Sequence, residues 1–314
     1  MAAETVLSAR GLVVRYRAVE AVKGLNLEVP RGQVVGLIGP DGAGKTSTLR
    51  VFAGLQRAAA GSVEVLGREA WRHRRALHHR LGYLAQRFAL YGDLTVDENV
   101  QFFALLLGVR DWRKRRDMLL ERVALAEFRN RQADRLSGGM RQKLALACSL
   151  MHSPEILLLD EPTSGVDPVT RREFWRLLAD LVAEGLTLVI ATPYLDEAER
   201  CSRVILMHRG RVLADAPPRE LRGLMPGVIV EVAAEPRTVV AEALARLPGE
   251  VDVRPFAARF HVQFPVAEGA VERIRAALEG AGATIEEVRV IPAGLEDTFL
   301  HLTRAEAHPS GEAA

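Results

Sequence analysis

The segment most able to do chemistry is Gly39-Pro40-Asp41-Gly42-Ala43-Gly44-Lys45-Thr46, with Ser47 directly behind it. It fits the spacing G-x-x-x-x-G-K-[ST] at every fixed position. Glycines permit backbone angles that other residues resist. Successive N–H groups can therefore turn inward around phosphate oxygens. A helix opening at the end of such a loop adds partial positive charge at the same point. Lys45 is expected to reach the β- and γ-phosphates of a nucleotide, and the Thr46 hydroxyl to ligate Mg²⁺. The apolar run VVGLI precedes the loop and the helical run TSTLRVFAGLQ follows it. That is the strand-then-helix context the loop requires.

A second constellation is Ile156-Leu157-Leu158-Leu159-Asp160-Glu161, an apolar strand ending in two acids. A buried strand delivers such carboxylates to its C-terminal edge, where parallel α/β sheets bind ligands. Asp160 is expected to hold the metal, and Glu161 to act as general base toward the water that attacks the γ-phosphate. A third is Leu136-Ser137-Gly138-Gly139-Met140, where Ser137 is a good N-cap and the glycines expose N–H groups to an anion. One chain thus carries two anion-binding devices, which makes sense if they serve different nucleotides.

LSGGM, lying just upstream of the two-acid strand, resembles the signature of the ABC ATPase family. The resemblance covers roughly residues 5 to 220. It implies that two such domains pack head to tail, each ATP held between one domain's phosphate loop and the other's signature. It further implies that Tyr16 stacks on adenine and that Gln86 senses Mg²⁺ and the attacking water. Ser164-Gly165-Val166-Asp167 resembles the loop through which paired domains communicate, and places Asp167 near the nucleotide. Asp41, where Asn is commoner, and Ser47, where Thr is commoner, are mild departures from the family, and a third is more consequential. Where Thr-His or Ser-His is usual, this chain has Thr192-Pro193. Proline has no imidazole and no N–H. Slow hydrolysis at this chain's own site is expected, with an asymmetric heterodimer as one consequence and a nucleotide-gated module with little turnover as the other.

The elements that must position these residues follow from periodicity. Residues 5 to 38 alternate as short strands, and residues from about 88 to 150 turn helical, with Asp97 and Glu98 early in one run and Gly108 at its end. Two wholly apolar strand runs separated by a helix, ILLLD and LTLVIAT, indicate a parallel sheet covered on both faces. The expected fold is α/β: a P-loop NTPase domain of the ABC type over residues 1–222, with an antiparallel β subdomain and a helical subdomain. A hairpin is expected around Arg209-Gly210. Residues 223–304 run β-α-β-β-α-β, the order of a small ferredoxin-like α+β domain, followed by a short helix LEDTFLHL. Residues 305–314 are expected to be a disordered tail. PAGLEDTFLHLT also resembles the C-terminus of ATPases of ABC-2 type exporters of the daunorubicin-resistance kind. That resemblance implies export through separate integral-membrane permease subunits.

Composition bounds the rest. The 314 residues are 48% hydrophobic and carry a formal net charge of +2. Near balance argues against a nucleic-acid partner. Cys148 and Cys201 have no metal-ligand spacing and suit a reducing compartment. No apolar run approaches the roughly 20 residues that span a bilayer, and MAAETVLSARG lacks a signal-peptide layout. A cytoplasmic protein peripheral to the inner face of the cell membrane is expected. The basic runs around Arg72–Arg80 and Arg110–Arg116 are expected to be solvated faces, since interleaved arginines repel a metal from His73, His78 and His79.

Overall fold

The computed structural model describes residues 4–86, 90–248 and 251–307, and the chain divides into two compact units, Met1–Pro218 and Arg219–Ala314. In the first unit, alternating apolar residues on β1 (Thr5–Tyr16) and β2 (Val19–Pro30) bury one face of an antiparallel sheet. Its order is β2-β1-β4-β5, with β4 (Ala60–Val65) and the two-residue β5 (Arg68–Glu69). β3 (Val34–Ile38) leaves for a second sheet and is buried at every position, as are β7 (Ile156–Asp160) and β8 (Thr187–Thr192). The order there is β10-β9-β3-β8-β7-β6, completed by β6 (Leu81–Leu84), β9 (Arg203–His208) and β10 (Arg211–Ala216). All pairings are parallel except β9 with β10, the expected hairpin, where Arg209 and Gly210 both take positive φ. Apolar strands suit the middle of this sheet, where neither face meets water.

Both sheets share one core with the helix α1 (Lys45–Phe52), whose Leu49 and Phe52 are fully buried. The short α2 (Arg74–Leu77) falls inside the first basic run. The helical subdomain comprises α3 (Val96–Leu106), α4 (Trp112–Arg122) and α5 (Gly138–Ser149), which pack on one another. Thr95 and Glu98 form a reciprocal capping box at the start of α3, satisfying two otherwise orphaned donors. Residues 87–89, where the helical region was expected to begin, lie outside the described residues. The second basic run is not simply a solvated face. Arg115 donates to the Leu150 carbonyl at 2.8 Å, and Arg116 bonds Asp97 at 2.8 Å. These arginines tie α4 to its neighbours, because a guanidinium fork finds partners that residue order does not display. α6 (Pro168–Ala183), α7 (Leu195–Ala198) and α8 (Pro218–Arg222) follow along the chain.

The second unit holds β11 (Val228–Glu235), α9 (Arg237–Ala245), β12 (Asp252–Phe256), β13 (Arg259–Phe264), α10 (Ala270–Gly280) and β14 (Thr284–Ile291). The sheet order β12-β13-β11-β14 is antiparallel throughout. Val230, Val232, Phe260 and Val262 face α9 and α10 in a core with Val240, Ile274 and Leu278. Period-two alternation turns Glu231, Arg259 and His261 to the other face. The last helix, α11 (Leu295–Ala307), is longer than the sequence suggested and takes in residues 305–307, which had been assigned to the disordered tail. The reason is a partner from a distant segment together with helix propensity. Arg304 pairs with Asp252 across the unit, and alanine and glutamate carry the helix onward. Residues 308–314 lie outside the described residues.

Candidate functional site

The loop after β3 is shaped by close approach. Gly44 has φ 101° and caps α1, and a Cβ on it would stand 2.4 Å from the Ala21 carbonyl oxygen. A Cβ on Gly39 would meet the Met207 carbonyl oxygen at 2.1 Å. Both positions therefore exclude side chains. The loop opens on a cleft of ≈ 390 Å³ lined by Asp41, Gly42, Ala43, Gly44, Lys45, Thr46 and Ser47, with Gln86, Glu161 and Ala21. Lys45 is 4% exposed and donates from Nζ to the carbonyls of Gly39 (2.8 Å) and Pro40 (3.0 Å). Burial pulls its pKa down against the attraction of Glu161, Asp41 and Asp160.

β7 delivers its two acids to the same place. Thr46 Oγ1 donates to Asp160 Oδ1 at 2.9 Å, and the Tyr83 hydroxyl donates to Asp160 Oδ2 at 3.3 Å. Glu161 has φ 49°, a left-handed conformation that costs a side-chain-bearing residue strain. Its N–H donates to Ala191 O at 2.8 Å, which holds the turn. The carboxylate accepts from Gln86 Nε2 at 2.8 Å and lies 3.9 Å from Lys45 Nζ. Burial, with the charges of Asp41 and Asp160, pushes the Glu161 carboxyl upward, while Lys45 pulls it back. Burial also pushes Tyr83 up to about 12, so its phenol stays protonated and donates.

Asp160 is 1% exposed, and burial raises its carboxyl above the ordinary aspartate range despite the hydrogen bonds from Thr46 and Tyr83. A raised folded-state pKa means that the charged form destabilises the fold above that pKa. The effect disappears below the unfolded value, where both states are protonated. Asp160→Asn is therefore expected to raise the Tm of the nucleotide-free protein near neutral pH. The gain is about 2–4 °C for each kcal/mol relieved. Thermal melts at stepped pH check this: the difference from the parent should shrink as pH falls through the carboxyl's titration.

The structure brings Gly39 to Ser47, Gln86, Asp160 and Glu161 together, and leaves other expected residues elsewhere. Ser137 caps α5, accepting from Met140 N–H at 3.2 Å, and Gly138 lines a different cleft with Arg141, Ser164 and Gly165. Gln86 borders both clefts. Gly139 packs on Thr170, where a Cβ would meet Cγ2 at 2.3 Å. Asp167 caps α6, accepting from the N–H groups of Val169 and Thr170 and from the Thr170 hydroxyl. Tyr16 ends β1, 41% exposed, and its hydroxyl donates to Gln56. Pro193 follows Thr192, whose carbonyl accepts from Gly39 N–H at 3.4 Å, so the departure from the family pattern sits beside the loop. Among the described residues no histidine lines the cleft. Ala21 and Tyr83 were missed in the sequence because their roles depend on which strands lie adjacent.

Comparison with known proteins decides the family. The ABC transporter profile matches residues 22–164. The daunorubicin resistance ATP-binding protein DrrA3 of Streptomyces coeruleorubidus is 38% identical over 309 residues, covering 96% of each chain. The chain belongs to the ABC transporter ATP-binding proteins. The probable multidrug ABC transporter ATP-binding protein YbhF of Escherichia coli is 44% identical over 228 residues. That match covers 71% of this ABC chain and 39% of YbhF, so the chain spans about two fifths of that relative's length. Among solved structures, cbiO1 from Clostridium perfringens, part of the ABC transporter complex cbiONQ, aligns with TM-score 0.65 and 27% identity over 78% of this chain and 96% of that one. The dimeric post-hydrolysis state of the ATP-binding cassette MJ0796, bound to ADP and Pi, aligns with TM-score 0.62 and 26% identity over 67% and 98%.

The ABC chain's residues fit a nucleotide with a hard divalent cation. A hydroxyl and a buried carboxylate, Thr46 and Asp160, converge at the phosphate loop. Oxygen donors of this kind suit Mg²⁺, and the raised Asp160 carboxyl is one that a cation would settle. Among the described residues no helix is long and apolar enough to cross a membrane.

Proposed function

We propose that this ABC subunit binds MgATP in the cleft of Gly39 to Ser47 and pairs with a second ABC ATPase domain to drive an ABC-2 type exporter. Its partners are integral-membrane permease subunits, and its place is the cytoplasmic face of the cell membrane. The observation that carries the reading is the separation of the two anion-binding devices. The phosphate loop and Gly138, the first glycine after Ser137, open on different clefts of one chain. Each therefore needs a second domain to complete a nucleotide site. The dimer described for MJ0796, and the daunorubicin-resistance and multidrug roles in the names of DrrA3 and YbhF, support the pairing and the export.

Within the site, Lys45 is suited to the β- and γ-phosphates. Its present carbonyl partners are exchangeable for phosphate oxygens. Glu161 is suited to take the proton of the attacking water, because its raised pKa brings it closer to the operating pH. Gln86 holds that carboxylate by its amide and is placed to orient the water. Thr46 and Asp160 would hold Mg²⁺, which when bound neutralises charge on the phosphates. Pro193 removes a donor from the γ-phosphate side, so this subunit's own site is expected to turn over slowly. A partner with an intact histidine would complete an asymmetric pair.

The test is nucleotide-driven pairing. MgATP should produce a dimer in light scattering or analytical ultracentrifugation, with a second ABC subunit where the pair is asymmetric. Gly138→Glu, which places a carboxylate where phosphate should sit, should abolish pairing while leaving MgATP binding to the chain within about twofold. Pairing that survives Gly138→Glu would defeat the two-cradle reading.

A further inference from the structure

Thr46 and Arg50 stand four residues apart on α1, hence on one helix face. Opposite them are Asp160 at the end of β7 and Tyr83 on β6. Two hydroxyls converge on one carboxylate. Thr46 donates to Asp160 Oδ1 at 2.9 Å, and Tyr83 donates to Asp160 Oδ2 at 3.3 Å. The Arg50 guanidinium is close enough to the Tyr83 and Tyr16 phenols for its charge to act on them. The cation beside the phenol strengthens the donation from Tyr83 to Asp160, because neighbouring polar groups polarise one another.

The Tyr83 ring is a firm anchor for this contact. It packs against the core beside Leu158, with which it is in register across β6 and β7. Leu158 and Asp160 share a strand face, being two residues apart. The phenol therefore reaches Asp160 Oδ2 from a fixed base, which leaves Oδ1 turned toward Thr46.

We propose that Tyr83 is a positioning residue for the cation subsite: it fixes the Asp160 carboxylate with one oxygen toward Thr46, and the Arg50 charge beside the phenol strengthens that hold. The proposal rests on the reading of this cleft as a MgATP site. Tyr83 does not touch nucleotide. It limits the rotation of a carboxylate that would otherwise have to be ordered as Mg²⁺ binds, a cost of the kind that preorganisation removes.

The experiment is a binding titration of the full chain with a fluorescent ATP analogue, once with excess EDTA and once across a Mg²⁺ series. The parent should bind more tightly as Mg²⁺ is added. Tyr83→Phe keeps the ring and deletes only the hydroxyl. It should raise the Mg²⁺ concentration for half-maximal tightening about fivefold to tenfold, the order expected for one lost hydrogen bond. Affinity in EDTA should stay within about twofold of the parent. Arg50→Met, at an exposed helix position, should act in the same direction. The double variant should be no worse than Tyr83→Phe alone, since residues in one network do not add. A parent with no Mg²⁺-dependent binding would remove the nucleotide reading itself. A parent that binds normally, with Tyr83→Phe matching it across the Mg²⁺ series, would overturn the proposal alone. Equal weakening of Tyr83→Phe with and without Mg²⁺ would also overturn it, because that is the mark of a structural role.

Discussion

Replacing Pro193 with histidine is expected to raise ATP turnover by the purified chain about 10²-fold, the scale associated with one preorganised donor at a transition state. The position is right for it. Thr192 ends β8 in register with Ile38 of β3, and its carbonyl accepts from Gly39 N–H at the start of the phosphate loop. A side chain one residue on begins beside that loop. The next side chain, Tyr194, is engaged by Arg171, whose guanidinium carbon lies 4.4 Å from its ring centroid. The substitution also restores an N–H that proline lacks. Steady-state phosphate release, measured at saturating MgATP, checks the gain. Glu161→Gln in the Pro193→His background should remove it, because the new donor needs the same base. Unchanged turnover in Pro193→His with normal nucleotide affinity would mean that proline is not what limits this site.

Lys45→Ala is expected to weaken MgATP binding by about 10²-fold or more, the loss typical of removing one partner of a buried charge pair. Lys45 Nζ is the cation buried closest to Glu161, at 3.9 Å, in a cleft that also holds the charges of Asp41 and Asp160. Without it, a triphosphate would enter a pocket whose nearest formal charges are negative. Lys45→Arg should not rescue binding. The ammonium sits between two loop carbonyls at 2.8 and 3.0 Å, and a planar fork does not fit a point-charge position. Fluorescence titration of folded variants reads both. Near-parental affinity in Lys45→Ala would remove Lys45 from the binding machinery.

Much of the site was legible in residue order because it is local. A phosphate loop is one continuous run, and its strand and helix flank it within the same few dozen residues. The two acids stand next to each other, and Ser137 caps the helix that it opens. Legibility failed where partners come from distant segments. Arg115 and Arg116 look like a solvated run until α4 meets Leu150 and Asp97. α11 extends past its expected end because Arg304 finds Asp252.

The sequence alone determined the chemistry available: a glycine-shaped anion loop with one lysine, two acids closing an apolar strand, a second glycine pair behind a capping serine, and a proline where the family has histidine. These are statements about covalent neighbours and backbone freedom, which residue identity settles. Only the tertiary structure decided that the two glycine devices open on separate clefts. It also decided that Tyr83 meets Asp160, and that Glu161 is held in a strained turn against Gln86. The physical reason is that strand order in a parallel sheet is set by packing of the whole domain, and no run of adjacent residues encodes which strand lies beside which.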